Sequence, residues 1–134
     1  MSLFGAIGVA GTGVTLYRKW LDAVSDNIAN MNNATSTDGA AFQARYVVAQ
    51  AVDYGSGTGG VQVGGIALGN AEGRLAYEPD HPLADADGMV RYPDIDLGSQ
   101  MSQMMIAQRA YQANLAVVDR ARNAYEAALQ LGRG

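Results

Sequence analysis

The residue types best suited to chemistry lie between positions 80 and 96, where five aspartates surround the only histidine. Carboxylate oxygens are the ligands that Ca²⁺ prefers, and Asp85, Asp87 and Gly88 fit positions 3, 5 and 6 of a calcium loop. In that alignment Leu83 replaces the first ligand, and Asp94 replaces the bidentate glutamate at position 12. A small calcium- or ligand-binding β domain with helical oligomerisation arms is therefore the alternative prediction, and a solvated acidic turn is the simpler interpretation. The five aspartates are Asp80, Asp85, Asp87, Asp94 and Asp96.

Two other patterns resemble sites of catalysis or cofactor binding but lack an essential part. His81 and a neighbouring aspartate supply two members of a nucleophilic triad, yet no serine lies in a nucleophile elbow. Gly55, Gly57 and Gly60 match G-x-G-x-x-G, but a dinucleotide site needs a helix directly afterwards, and a strand-like run follows. The sequence therefore predicts no enzyme, no catalytic residue, no bound metal and no cofactor.

The composition excludes further classes of protein. With no cysteine there is no disulfide and no thiol chemistry, and a net charge of −4 argues against nucleic-acid binding. Arg18 and Lys19 follow the uncharged first 17 residues, whereas a secretory signal carries its positive charge before the apolar run. Those residues are also too few and too polar for a membrane span. We therefore expect neither a small-molecule substrate nor a membrane-spanning segment.

Residues 1–31 have the apolar spacing of a coiled-coil helix. Apolar residues recur at alternating steps of three and four over more than three heptads. This repeat predicts a long helix with one narrow stripe that contacts another helix, and we take the stripe as a subunit interface. The N-terminal stripe consists of Ile7, Ala10, Val14, Tyr17, Leu21, Val24, Ile28 and Met31.

Four glycines weaken the start of this helix, namely Gly5, Gly8, Gly11 and Gly13. Each costs about 1 kcal/mol relative to alanine inside a helix. The total is comparable with much of the net stability of a small domain. We therefore expect the isolated helix to fray and to become ordered when other chains bury its stripe.

Residues 99–131 contain neither glycine nor proline and predict a second long helix that stops near Gly132. It has two adjacent apolar stripes, which indicate contacts with more than one neighbour. The first C-terminal stripe consists of Met101, Met104, Tyr111, Leu115, Val118, Tyr125 and Leu129. The second, richer in alanine, consists of Ala107, Ala110, Val117, Ala121, Ala124, Ala128 and Leu131.

The glycine-rich, acidic middle of the chain has the features of β structure. Residues 43–52 and 61–68 predict two strands joined by a turn at 55–60, and residues 74–78 predict a third strand that Pro79 ends. Residues 85–88 predict another turn. The predicted fold class is α+β, with long N- and C-terminal helices and a small central antiparallel β region. The sequence assigns no role to the many glycines between 55 and 65.

Three segments resemble the axial proteins of the bacterial flagellum. Residues 25–32 (SDNIANMN) are similar to the S-x-N-[IL]-A-N-x-N motif that ends the N-terminal helix of rod and hook proteins. Residues 107–114 (AQRAYQAN) resemble the R-[AS]-Y-[QE]-A-N motif of their C-terminal helix. Residues 77–93 are similar to H-P-x-A-D-x-x-G-Y-V-x-x-P, the signature of the proximal rod proteins, with Met89 in place of tyrosine. The matching residues are Ser25, Asn27, Ala29, Asn30 and Asn32 in the first motif, and His81, Pro82, Asp85, Gly88 and Pro93 in the signature turn.

The resemblance implies a structural subunit of the proximal rod of the basal body, a helical polymer that transmits torque from motor to hook. Residues 1–33 and 94–134 would form a coiled-coil inner domain, and residues 34–93 a small β-rich outer domain. The implied partners are further copies, rod subunits of the FlgB, FlgF and FliE types, the MS ring, and the flagellar type III export apparatus. Export to the periplasmic rod would occur in the unfolded state, without signal cleavage. Another short rod subunit is the alternative within this class, because the two helix motifs are shared.

The resemblance also implies roles for single residues of the two helix motifs. Asn27, Asn30 and Asn32 are expected to satisfy backbone groups where the first helix ends. Tyr111 and Gln112 are expected to pack and to hydrogen-bond between chains. The interface of the C-terminal helix then comprises the first C-terminal stripe together with Gln112 and Asn114.

Overall fold

The computed structural model describes residues 2–55 and 57–134 and confirms the α+β class, with two long helices and a small β region between them in the chain. Neither helix is both long and apolar enough to cross a membrane, within the residues described. The elements are α1 (Leu3–Asn30), β1 (Arg45–Gly55), β2 (Thr58–Leu68), β3 (Arg74–Tyr77), β4 (Met89–Tyr92) and α2 (Leu97–Arg133).

The two helices lie side by side and run in opposite directions. The Phe4 ring at the start of α1 meets the Tyr125 ring near the end of α2, with 5.3 Å between centroids. Farther along, Trp20 Nε1 donates a hydrogen bond to Gln103 Oε1 over 3.4 Å. Helix α1 has 28 residues and α2 has 37. Residues 126–133, about two turns of α2, therefore extend past the start of α1.

Each helix begins at a polar residue that caps its first turn. The Ser2 hydroxyl accepts a hydrogen bond from the Gly5 N–H at 3.0 Å, and the Asp96 carboxylate accepts one from the Ser99 N–H at 2.7 Å. At its other end, α2 continues through Gly132, where the sequence predicted its stop. That glycine is in a helical turn with nothing packed against it, so no contact forces the chain out of the helix there.

Strands β1 and β2 form a long antiparallel hairpin that starts with Arg45 opposite Leu68 and lies along α1. The Val61 N–H donates a hydrogen bond to the Thr12 hydroxyl oxygen over 3.1 Å, which ties β2 to the glycine-rich half of α1. The hairpin therefore covers one side of α1 while α2 covers another.

The glycines of the hairpin have two separate structural roles. The turn is shorter than the predicted segment 55–60, because β2 starts within it. Gly55 and Gly57 have φ angles of +82° and +75°, in the left-handed region that glycine adopts without strain. A Cβ on Gly60 would lie 2.6 Å from Thr12 Oγ1, so glycine is needed there for the strand to approach the helix. The close approach of Gly60 to Thr12 thus explains part of the high glycine content between residues 55 and 65, to which the sequence alone assigned no role.

Strands β3 and β4 form a second, separate two-stranded sheet, whereas the sequence predicted one sheet of up to three strands. The prediction also missed β4, which is only four residues long. It is held on both sides, because Arg91 exchanges backbone hydrogen bonds with Thr35 at 2.8 and 2.9 Å while the strand pairs with β3. Pairing on both sides, rather than a local sequence pattern, therefore defines β4. The strand contains the fully buried Val90.

The buried core is made mainly of small side chains, and the helices approach closely. A Cβ on Gly13 of α1 would lie 2.6 Å from Asn114 Oδ1 of α2. Many larger apolar side chains remain exposed, and several of them lie on successive turns of the helices, as on surfaces that meet a partner. On the helices the exposed ones are Phe4, Val9, Leu97, Met101, Met105, Ile106, Leu115, Val117, Tyr125, Leu129 and Leu131.

Candidate assembly interface

The N-terminal stripe lies only partly on the face of α1 that the chain itself buries. Of its eight residues, Ala10 and Val24 are buried, and the others are half-buried. The buried face also includes Gly13, Leu16 and Ala23, which lie one position before residues of the stripe. Because α1 contacts both α2 and the hairpin, its buried face is wider than a coiled-coil stripe and is rotated from it. The half-buried stripe residues are Ile7, Val14, Tyr17, Leu21, Ile28 and Met31.

The first C-terminal stripe is more open still. Met104, Tyr111 and Val118 are half-buried, as is Asn114, whose amide donates to the Ala110 carbonyl oxygen of its own helix at 2.8 Å. The exposed members are Met101, Leu115, Tyr125 and Leu129, together with Gln112. From the second stripe, Ala107 and Ala121 are buried and Ala110 is half-buried, so only part of the alanine-rich face lies inside the chain. Its exposed members are Val117, Ala124, Ala128 and Leu131.

Leu21 of the N-terminal stripe and residues of the first C-terminal stripe come together in one open groove between α1 and α2, which we call the interhelical groove. Its volume is about 570 Å³. Its lining contains no charged side chain, and its polar groups are two hydroxyls, of Ser25 and Tyr111, and two carboxamides among apolar neighbours. Such a surface suits the uncharged face of another helix. The groove is lined by Leu21, Ser25, Met104, Gln108, Tyr111, Gln112 and Leu115.

The asparagines of the first motif do not all act where the helix ends. Asn30 does so, because its amide donates to the Asp26 carbonyl oxygen in the last turn over 2.8 Å. Asn27 instead reaches sideways and is fully buried, bound to the backbone of Arg45. Its expected role at the helix end is therefore corrected to a link between α1 and β1. Ser25, Ala29 and Asn32 are exposed.

The signature turn is held together by Asp85. One carboxylate oxygen accepts hydrogen bonds from the backbone N–H groups of Asp87 and Met89, both at 2.9 Å. The other accepts from the Thr37 hydroxyl at 2.8 Å. The bonds from Met89 and Thr37 lower the pKa of Asp85, because they stabilise the carboxylate, and desolvation opposes them. Both oxygens are thus engaged inside the chain.

The other members of the turn also have structural contacts. His81 Nδ1 accepts from the Leu83 N–H at 3.0 Å, and Pro93 is fully buried, while Pro82 is exposed. Gly88 has a φ of +76°, and a Cβ there would lie 2.8 Å from the Tyr77 ring. In the described residues, no three histidine or carboxylate side chains are grouped as a metal ion would require. The turn therefore offers packing and hydrogen bonds within the chain.

Comparison with known proteins first defines the class. A family model described as the flagellar basal body rod FlgEFG protein C-terminal domain matches residues 86–131, which include nearly all of α2. This is the class of flagellar rod proteins.

Full-length relatives then define the family within that class. The chain is 37% identical to the flagellar basal-body rod protein FlgC of Salmonella typhimurium, over 99% of this chain and 100% of that protein. It is 36% identical to FlgC of Escherichia coli O157:H7, with the same coverage. For FlgC of Borreliella burgdorferi the identity is 31% over 100% of both chains. The chain belongs to the FlgC family of flagellar basal-body rod proteins.

Proposed function

We propose that this chain is a structural subunit of the proximal rod, which polymerises helically and transmits torque from the motor to the hook. The observation that carries the proposal is the interhelical groove, where apolar residues of both predicted stripes stay open to solvent on a paired-helix scaffold. A packed monomer would bury such residues, whereas a polymer subunit needs them for its neighbours. The names of its relatives agree with this role.

The same arrangement supports separate roles for the helices and the β region within the rod. Residues 1–33 and 94–134 are proposed as the inner domain, whose helices contact neighbouring copies and rod subunits of the FlgB, FlgF and FliE types. Residues 34–93 are proposed as the outer domain, although the β1–β2 hairpin lies directly on α1. The signature turn stiffens the outer part through its internal hydrogen bonds. The MS ring is proposed as a further neighbour.

The proposed route to the rod is export by the flagellar type III apparatus in the unfolded state, without cleavage of a signal. Such export requires a subunit that unfolds easily before assembly and becomes ordered afterwards. The small core and the four glycines at the start of α1 support this sequence of events. The location that follows is the periplasmic rod of the basal body.

The location is tested by purification of basal bodies from the bacterium that carries this chain. An epitope-tagged copy should restore swimming to a deletion strain, co-purify with basal bodies and be labelled on the rod by immunogold microscopy. The same tag on an unrelated exported protein is the control. A tagged copy that restores swimming but is absent from purified basal bodies would contradict the proposed function.

Folding on assembly is tested by far-UV circular dichroism of the dilute chain with two matched glycine variants. The dilute chain should show less helix than the 28 and 37 residues of α1 and α2. Gly11→Ala should raise the helical signal and stabilise the helix by about 1 kcal/mol, because a Cβ there meets nothing within 4 Å.

Gly13→Ala is the control, because it has the same change in helix propensity but a Cβ 2.6 Å from Asn114 Oδ1. Asn114 would have to turn away and lose its hydrogen bond to the Ala110 carbonyl oxygen, and this loss of about 0.5–1.5 kcal/mol should cancel most of the gain in propensity. Full helicity of the dilute wild-type chain, unchanged in both variants, would refute folding on assembly.

A further inference from the structure

A buried hydrogen-bonded cluster joins three elements at the end of α1 where that helix finishes. Asn27 is 0% exposed and Gln100 of α2 is 2% exposed. Asn27 Oδ1 accepts from the Arg45 N–H at 2.7 Å, and Asn27 Nδ2 donates to the Arg45 carbonyl oxygen at 2.9 Å. The same Nδ2 donates to Gln100 Oε1 at 3.0 Å. One side chain thus connects α1 to the first residue of β1 and to α2.

Besides this cluster, few contacts between α1 and α2 depend on their axial alignment. They are the Phe4–Tyr125 ring contact, the Trp20–Gln103 hydrogen bond and the approach of Asn114 to Gly13. The residues that α2 buries besides Gln100 are Ala107 and Ala121, which are identical and two heptads apart. Small, repeated side chains fit several alignments almost equally well, because they offer few distinct knobs and holes. The alanines therefore leave the choice of alignment to these few larger contacts and to the buried cluster.

A shift of α2 by one heptad shows which alignment the pair excludes. Residues 126–133 would then come beside the start of α1, and Leu129 and Leu131 would take the exposed places of Arg122 and Ala124. In that alignment Ala107 would take the place of Gln100 beside Asn27. The Asn27–Gln100 hydrogen bond would be lost, and Gln100 would have to find a new partner or water. Buried polar groups without partners are costly, so the bond disfavours the shifted alignment.

We propose that the Asn27–Gln100 pair selects the register of this chain, fixing one axial alignment of α2 against α1 and, through Arg45, the start of the hairpin. These are positioning residues, since they act through the alignment of other surfaces. The interhelical groove combines residues of both helices, so its shape depends on this register. The proposal concerns the single chain and goes beyond the proposed role in the rod.

Disulfide trapping tests the register directly, because the chain has no cysteine of its own. The pair Phe4→Cys with Tyr125→Cys reports the observed alignment, where the two side chains pack against each other. The pair Phe4→Cys with Gly132→Cys reports the alignment shifted by one heptad, since seven helical residues span about 10.5 Å, beyond the reach of a disulfide. Rates of intrachain cross-linking are compared on non-reducing gels, at a concentration where circular dichroism shows both helices.

In the otherwise native chain, the observed pair should cross-link at least about tenfold faster than the shifted pair. Both Asn27→Leu and Gln100→Leu should lower that ratio at least about fivefold while the helical signal persists. Asn32→Leu, the same substitution at an exposed asparagine, should leave the ratio unchanged. A folded Gln100→Leu chain with an unchanged ratio would overturn the proposal, whether or not Asn27→Leu folds. The cross-linking experiment uses the isolated chain and needs no rod. A result that contradicts the register proposal would therefore leave the proposed function intact.

Discussion

Cells whose only copy of this chain carries Leu21→Ala and Leu115→Ala are expected not to swim, and their basal bodies should lack the chain. Both leucines line the interhelical groove, one from each helix. Truncation of a leucine at a well-packed contact typically costs about 2–5 kcal/mol. Two such losses of about 2 kcal/mol weaken one subunit contact roughly a thousandfold. Swimming haloes and immunoblots of purified basal bodies measure the effect.

The matched control for this double variant is Leu68→Ala with Leu75→Ala. These leucines are 59% and 52% exposed and lie on strands outside the groove. The chemistry of the two double variants is the same, so a general loss of apolar surface affects both. We expect the control to swim, and circular dichroism should show similar helix content in both proteins. Equal loss of motility in the two strains, or normal motility in the groove variant, would count against the groove as the subunit contact.

The two helices and their extent could be predicted from sequence because their signal is local. The repeat of three and four in α1 persists over many turns, and no glycine or proline interrupts residues 99–131. Each helix ends within a few residues of its prediction. The motif residues followed from resemblance, which placed the first motif at the end of α1 and the second within α2.

The face that α1 buries could not be predicted in the same way. A periodic stripe shows that a helix has an apolar side, but not how many elements share it. Here the hairpin occupies a neighbouring face, held by the Thr12–Val61 hydrogen bond, so the buried set is shifted toward Gly13 and Leu16. Small residues at a helix surface were the available signal, because close approach of another element requires them.

Contacts between residues distant in sequence were also beyond local patterns. Asn27 and Gln100 are 73 residues apart, and neither has a neighbour in sequence that marks it as buried. A buried pair of amide side chains can be recognised only when the axial alignment of α2 against α1 is known. Strand β4 was missed for a related reason, since four residues carry too little periodicity, and pairing with β3 and Thr35 defines it.

Gly73→Ala is expected to destabilise the chain by about 2–5 kcal/mol and to lower its melting temperature by on the order of 10 °C. Gly73 has a φ of +59°, where a side chain is strained. An added Cβ would also collide with the Tyr92 carbonyl oxygen of β4 and come within 2.8 Å of the Ala41 Cβ. The Tyr92 backbone on one side and the Ala41 methyl group on the other leave little room for the structure to accommodate an added side chain. Urea and thermal unfolding of the purified chain measure the loss.

Two further variants separate the causes of this loss. Gly65→Ala is the matched control, because that glycine lacks a positive φ and its Cβ would meet nothing within 4 Å. Its stability should change by no more than about 0.5 kcal/mol. Gly73→Asn tolerates the left-handed conformation better than alanine but keeps the collision, so it should remain well below wild type. Equal melting temperatures for Gly73→Ala and Gly65→Ala would contradict both the left-handed backbone at Gly73 and its packing against β4, because these two features distinguish the sites.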